Sequence, residues 1–243
     1  MSFSRKHLLA CCLAFFTIAA SPLLHADDED KGISPLPPEQ FLEALRQPLR
    51  ADTWGEITGK LTCQRKGTAN LTGQLRLRLT FTETSLHAQI NLDDRNVYGF
   101  EQVHRLGEPI TCALDLPEQE TSPSLFDFGI QPEDLTFSFL YWNFLEELPR
   151  RSHRGLQCRV MRLADPKGTD TVTVSFSAEY GFPLQVSWFR QQESRPWREL
   201  EMKGAKRFSS GMWFVKEMIL QGEDWKTRVI FNFADLKTID GAN

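Results

Sequence analysis

Along much of the chain, apolar residues recur at every second position. Leu75, Leu77, Leu79 and Phe81 alternate with Gln74, Arg76, Arg78 and Thr80. Leu86, Ala88, Ile90 and Leu92 alternate with His87, Gln89 and Asn91. A period of two sends one set to each face of a pleated strand, so both stretches read as half-buried strands. A tight turn at Glu83-Thr84-Ser85 joins them. Similar runs predict an earlier strand over Gly55 to Gln64 and a short one around Ile110 to Leu114. After Pro149 they predict strands over Leu156 to Leu163, Val172 to Phe176, Leu184 to Trp188, Leu200 to Met202, Trp213 to Leu220 and Thr227 to Phe233. Gly67, Gly181 with Pro183, Ser209-Ser210-Gly211 and Gly222-Glu223-Asp224 mark turns between them. Ten strands at this spacing describe an antiparallel meander, and no linker interrupts residues 39–237.

Two short helices complete the pattern. Pro38 opens the first, Glu39 sits in its first turn, and Phe41, Leu42 and Leu45 form one apolar face before Pro48. Gln131-Pro132-Glu133-Asp134 opens the second, with proline at the first position and two acids at the positive end of the dipole. Leu135 to Trp142 then carries Phe137, Phe139, Tyr141 and Trp142 and is apolar on every side. Such a segment must be covered all round, or must itself cover something apolar.

The first residues are read as a targeting signal. Arg5 and Lys6 precede an apolar run of about thirteen residues, Leu8 to Ala20. Pro22 breaks it, and Ala26 offers a small residue at a cleavage point before Asp27-Asp28-Glu29-Asp30. The run is short of the roughly 20 residues that span a bilayer. Leu8-Leu9-Ala10-Cys11 resembles a lipid-attachment box, but cutting there leaves most of the apolar run on the product. The expected division is a signal peptide over 1–26, a flexible acidic and proline-bearing leader over 27–38, and one domain over 39–243. The mature chain keeps Cys63, Cys112 and Cys158, which allow one disulfide with one thiol over, or three buried thiols.

Catalytic signatures are absent. The mature histidines His87, His104 and His153 have no metal-ligand spacing, and no G-x-S-x-G, H-E-x-x-H or phosphate-binding glycine loop occurs. Cys63 and His87 are a thiol and an imidazole whose distance the sequence does not fix. Asp93-Asp94 lies where a strand ends and reads as a solvated turn. With 28 Lys and Arg against 32 Asp and Glu, the net charge is −4. That balance disfavours a polyanion partner, so nucleic acid is not expected. The chain is read as non-enzymatic, with no cofactor and no metal.

What the sequence offers in quantity is apolar surface: 18 Phe and 6 Trp accompany the strand faces, with two short helices to cover them. Two arrangements satisfy this. A sheet can close on its own core. Alternatively, a curved sheet encloses an apolar ligand on its concave face, with the helices as a lid.

The order of elements resembles a known family. Asp134-Leu135 and Phe139-Leu140-Tyr141-Trp142 are followed by Leu148, then Gly155-Leu156-Gln157-Cys158-Arg159-Val160 ending at Asp165-Pro166. The strand Val172 to Phe176, Gly181-Phe182-Pro183-Leu184-Gln185-Val186 and Gly211-Met212-Trp213-Phe214-Val215-Lys216 come next. This succession, over most of residues 39–237, is similar to the periplasmic outer-membrane lipoprotein-sorting proteins, the LolA-like group. The resemblance implies a mainly β fold, an incomplete antiparallel β-barrel with an α-helical lid over an apolar cavity. It also implies a non-catalytic periplasmic carrier that needs no cofactor and moves lipid or lipoprotein acyl chains towards the outer membrane. An inner-membrane donor complex and an outer-membrane acceptor would be its partners. The arginine with which the best-known carriers latch lid to barrel has no recognisable counterpart in the sequence. On this reading the cavity face comprises Leu75, Leu77, Leu79, Phe81, Ile90, Leu92, Val174, Phe176, Val186 and Trp188. Phe41, Leu45, Phe139 and Trp142 are lid contacts. The alternative is a filled barrel serving as an envelope accessory or scaffold, attached to a lipid exporter. N-terminal sequencing of protein from the native cell is expected to begin near Asp27; an intact Met1 or a modified Cys11 would contradict this reading.

Overall fold

A computed structural model describes residues 36–46, 53–105, 108–191, 193–209, 211 and 213–238. The expected signal peptide and most of the expected leader lie outside the described residues. Twelve strands form one antiparallel sheet: β1 (Thr53–Arg65), β2 (Leu71–Phe81), β3 (Ser85–Leu92), β4 (Asn96–Val103), β5 (Thr111–Asp115), β6 (Asn143–His153), β7 (Leu156–Ala164), β8 (Asp170–Ser177), β9 (Pro183–Arg190), β10 (Arg198–Arg207), β11 (Trp213–Gln221) and β12 (Trp225–Thr238). Each strand pairs with its sequence neighbour, except that β1 pairs with β12 and β5 does not pair with β6. The sheet order therefore runs from β5 through β1 and β12 to β6, and the two edge strands are consecutive in sequence. The connection between them must cross from one edge of the curved sheet to the other. It carries a 3₁₀ turn (Phe126–Phe128), helix α2 (Pro132–Thr136) and a second 3₁₀ turn (Ser138–Tyr141). Helix α1 (Pro38–Arg46) lies against β6 and this second turn.

Register carries the alternation around the sheet. Tyr98, Ile90, Leu77, Ile57 and Ala234 stand opposite one another on five successive strands. Val174, Val186, Leu200, Leu220, Thr227 and Cys63 do so on six. All belong to the inner face and are buried. Leu125, Phe128, Ile130, Leu135, Phe139 and Leu140 from the crossing connection join the same core, as do Phe41, Leu42 and Leu45. The predicted apolar segment is thus buried from Leu135 to Tyr141, with Trp142 half-buried.

The first half of the crossing connection is fastened by side chains of β4, β1 and β12. Asn96, 1% exposed, donates to the carbonyls of Thr121 (2.6 Å) and Pro123 (3.2 Å) and accepts from the Thr121 N–H and hydroxyl. The Tyr98 hydroxyl donates to Glu120 at 2.7 Å and accepts from the Leu125 N–H at 2.9 Å. Burial pushes the Tyr98 phenol up to about 12, so it remains a donor. Arg65 donates to the Asp127 carbonyl at 2.8 Å, and Thr227 donates to that of Phe128. Gly129 then turns the chain at φ +68°, and a Cβ there would meet the Trp225 ring at 2.6 Å, so glycine is required on two grounds.

Ten predicted strands appear; β4 and β6 escape the periodic pattern. Along β4 the inward positions include Asn96 and Gln102 beside Tyr98 and Phe100, so polar residues interrupt the apolar set. β6 is an edge strand with largely exposed residues, and Pro149 falls where its register with β7 shifts. The turns at Asp93-Asp94 and Gly222-Glu223-Asp224 fall between strands as expected, as do Glu83 and Thr84, while Ser85 already opens β3. The expected leader ended at Pro38; Leu36 already packs against the core. Asn96→Ala should destabilise the protein by about 2–3 kcal/mol in urea unfolding, because it strands the buried polar groups of Thr121 and Pro123.

Candidate functional site

The structure puts every expected cavity residue on the inner face. Leu75, Leu77, Leu79 and Phe81 come from β2, Ile90 and Leu92 from β3, Val174 and Phe176 from β8, and Val186 and Trp188 from β9. All ten are buried and join one apolar cluster. The expected lid residues meet them. Phe41 packs edge-on against Phe176 at 5.5 Å between ring centroids, and Phe139 against Trp188 at 5.8 Å. Leu45 is buried in α1, and Trp142 is half-buried where the second 3₁₀ turn hands over to β6.

Three arginines fasten this cover. Arg46, at the end of α1, donates to the carbonyls of Leu140 (2.8 Å) and Trp142 (3.0 Å). Arg159 on β7 pairs with both oxygens of Glu147 at 2.8 Å, donates to the Leu36 carbonyl at 2.7 Å, and lies 4.4 Å over the Phe41 ring. Those bonds hold the Glu147 carboxyl below the usual carboxylate range. Arg198 on β10 pairs with Asp134 of α2 and donates to the Gly129 carbonyl at 3.3 Å, with Trp188 and Trp197 against its guanidinium. Asp134 also accepts from the Gln131 N–H at 2.7 Å, closing the start of α2. Both partners of the ion pair are buried, Asp134 at 1% exposure and Arg198 at 4%. Burial pushes the Asp134 carboxyl up, while Arg198 and the Gln131 N–H oppose that rise.

Beside this pair a cavity of about 240 Å³ opens at the seam between the sheet edges. Ile110 and Cys112 line it from the β5 side. Glu133, Phe139 and Trp142 line it from the crossing connection. Asp165 and Lys167 line it from the β7–β8 turn, Asp170 from the start of β8, Trp188 from β9, and Trp197 and Arg198 from where β10 begins. Burial is the main cause that pushes Glu133 and Asp170 up, and it raises the Cys112 thiol to about 11. Cys112 is therefore a protonated thiol at neutral pH and a poor nucleophile. Cys63 points inward from β1, whereas His87 stands exposed on the opposite face of β3, 3.7 Å from Glu101, so the two do not meet. Cys63, Cys112 and Cys158 are free thiols.

The sequence pattern found the apolar surfaces and missed the polar fastenings. Asp134 reads locally as a helix-start acid, and its partner lies 64 positions away. Arg198 begins a strand whose apolar residues are Leu200 and Met202, so period two marks it as inward, a placement at which arginine signals a buried partner. Arg46, Arg159 and Arg198 thus hold the covering segments, at positions the order of residues does not single out. Arg198→Leu should cost about 3–5 kcal/mol by leaving Asp134 buried and unpaired, and Asp134→Leu with Arg198→Leu should cost less than the single change; urea unfolding of both reads this.

Neither protein-family models nor curated proteins match this chain. Solved structures do. A DUF1329 family protein from Desulfovibrio piger aligns over 84% of this chain and 92% of its own, with a TM-score of 0.65 and 14% identity. An outer-membrane lipoprotein-sorting protein domain from Vibrio parahaemolyticus aligns over 83% and 92%, with a TM-score of 0.60 and 15% identity. A LolA superfamily protein from Nitrosomonas europaea aligns over 84% and 94%, with a TM-score of 0.52 and 9% identity. At such identities the likeness is one of fold, and the fold of this chain is that of the outer-membrane lipoprotein-sorting, LolA-like proteins.

Proposed function

We propose that the protein is a periplasmic, non-catalytic carrier of lipid or lipoprotein acyl chains. One observation carries this reading. The inner face is largely apolar, and its cover is α1 with residues 131–142, which packs on it by apolar contacts and is seated by arginine contacts to backbone carbonyls and one ion pair. Each of these charge-assisted bonds contributes about 1.5–3 kcal/mol, but they are few beside the ladders of the sheet, so the cover is the part that exchanges more readily. Residues 120–128 are the anchored part of the connection, and residues 131–142 with α1 are the lid. When the lid swings off, the ten inner-face residues become the surface for the chain. Each methylene moved there from water contributes roughly 0.8 kcal/mol. Release of a long chain is then slow without help, and an inner-membrane donor and an outer-membrane acceptor would change its affinity.

A second reading has its own observation. In the closed form the free space at the seam is about 240 Å³, and the inner-face residues already touch the lid. A filled barrel of this kind suits an envelope accessory protein. Uptake of a fluorescent fatty acid separates the two. The carrier reading expects saturable binding by the unaltered protein. It also expects uptake severalfold faster in Arg46→Gln, which loses the bonds to Leu140 and Trp142. No binding by the unaltered protein leaves the filled barrel.

A further inference from the structure

Cations gather at one end of the sheet, and register shows that part of that end stands apart. β10 pairs with β9 only from Arg198 to Glu201, and β11 pairs with β12 only from Glu217 to Gln221. From Ala205 opposite Val215 to Arg207 opposite Trp213, the described residues of β10 and β11 pair only with each other. They form a two-stranded ribbon beyond the main sheet, an element that is marginal in water unless it packs on something. Phe208 and Phe214 tie it to the core, and Phe214 meets Phe231 edge-on at 5.1 Å. Its polar composition is one-sided. Residues 202–216 carry Lys203, Lys206, Arg207 and Lys216 and neither Asp nor Glu, in a chain whose net charge is −4. Lys206, Arg207 and Lys216 are exposed, and none forms an ion pair among the described residues.

A second element adds to these charges. Arg150, Arg151 and Arg154, all exposed, lie in and beside the β6–β7 turn. The turn joins β10 at a single acid: Glu201 takes Arg154 at 2.6 Å, Lys203 at 3.3 Å and His153 at 3.5 Å. Of the neighbouring acids, Glu217 pairs with Arg228 at 2.8 Å and Glu199 accepts from Gln185, Ser187 and Gln221, which leaves Glu179, exposed on the β8–β9 turn. Cations held in such excess repel one another, and an anionic surface relieves that repulsion. The kind of surface follows from what the patch lacks. A protein partner is gripped through apolar or aromatic anchors. The exposed large apolar side chains among the described residues, Trp54, Val97, Leu114, Leu116 and Leu145, lie outside both the ribbon and the turn. Clustered cations without such anchors suit adsorption to anionic lipid headgroups. The same end carries α1, since Phe41 packs on Phe176, one residue before β8 ends.

We propose that the β10–β11 ribbon and the β6–β7 turn form a docking surface for an anionic phospholipid bilayer. Lys206, Arg207 and Lys216 face the headgroup phosphates, and α1 is brought to the membrane side of the molecule. The surface lies apart from the apolar bowl and does not depend on what the bowl carries.

Vesicle co-sedimentation tests it, with phosphatidylcholine alone and with phosphatidylcholine and phosphatidylglycerol in equal parts. The unaltered protein is expected to sediment with the mixed vesicles only, and less so as salt rises. Lys206→Gln, Arg207→Gln and Lys216→Gln combined should weaken that binding about a hundredfold, at roughly fivefold per cation, with the melting temperature unchanged. Lys60→Gln, Lys66→Gln and Lys226→Gln combined remove as much charge from exposed positions elsewhere and should leave binding as it is. No binding of mixed vesicles by the unaltered protein, or an equal loss in the two triple variants, overturns the proposal. Displacement by inorganic phosphate at the concentration of the lipid phosphate makes the patch a free-phosphate site and also overturns it. So does binding to native envelope vesicles but not to vesicles of their extracted lipids, which identifies an acidic protein partner. Uptake of the fluorescent fatty acid, expected unchanged in the ribbon variant, reads the carrier function separately, so either reading can fail alone.

Discussion

The pairing of the first strand with the last is the constraint on which the remaining structure depends. From Thr53 opposite Thr238 to Arg65 opposite Trp225, β1 and β12 form a ladder broken by one register shift at Thr58 and Gly59. Without that ladder, β1 to β5 and β6 to β12 would be two separate meanders, each with one apolar face. With it they make one sheet whose free edges are β5 and β6. Those edges follow each other in the chain, so residues 116–142 have to span the opening. The position of the cover is thus a result of strand order, and the part of it that meets the apolar bowl, Leu135 to Tyr141, is buried throughout.

The cover is built in two halves with different chemistry. From Glu120 to Phe128 it is held by side chains that sit on the sheet, and Asn96 alone makes four hydrogen bonds to it. From Gln131 to Trp142 it is held by cations reaching carbonyls, by the Asp134–Arg198 pair, and by ring contacts such as Phe139 on Trp188. A buried ion pair adds little net stability against an apolar substitute, yet it tolerates neither the loss of one partner nor a shifted register. It therefore specifies where α2 sits more than it holds α2 down. Apolar contacts provide the bulk of the adhesion, and the polar ones define a single seated position.

Much of this was legible in the sequence, and the part that was not has a common cause. Period two exposed the inward set of β2, β3, β8 and β9 because each strand there has one uniformly apolar face. Pro132 with Glu133 and Asp134 marked the start of α2 because dipole and capping are local effects. β4 was hidden because Asn96 and Gln102 occupy inward positions, and β6 because an edge strand needs no apolar face. The Asp134–Arg198 pair depends on where the crossing connection comes to lie against β10, and no local pattern encodes that. Inward polar residues are where local pattern and tertiary demand disagree, and in this fold Asn96, Thr227 and Arg198 each hold the connection between the sheet edges.

The closing ladder also sets an order of events for the growing chain. Contacts between segments this far apart in sequence are slow to form, since the whole intervening chain must be brought round first. A ribosome releases β1 to β5 long before β12 exists. During that interval Leu75, Leu77, Ile90 and Leu92 have neither the closing strands nor α2 to cover them, while β1 presents an unpaired edge. That half-sheet is the aggregation-prone species of this topology, and it persists for as long as β12 is unmade. The last strand to be made is therefore also the one that completes the cover of the first half's apolar face.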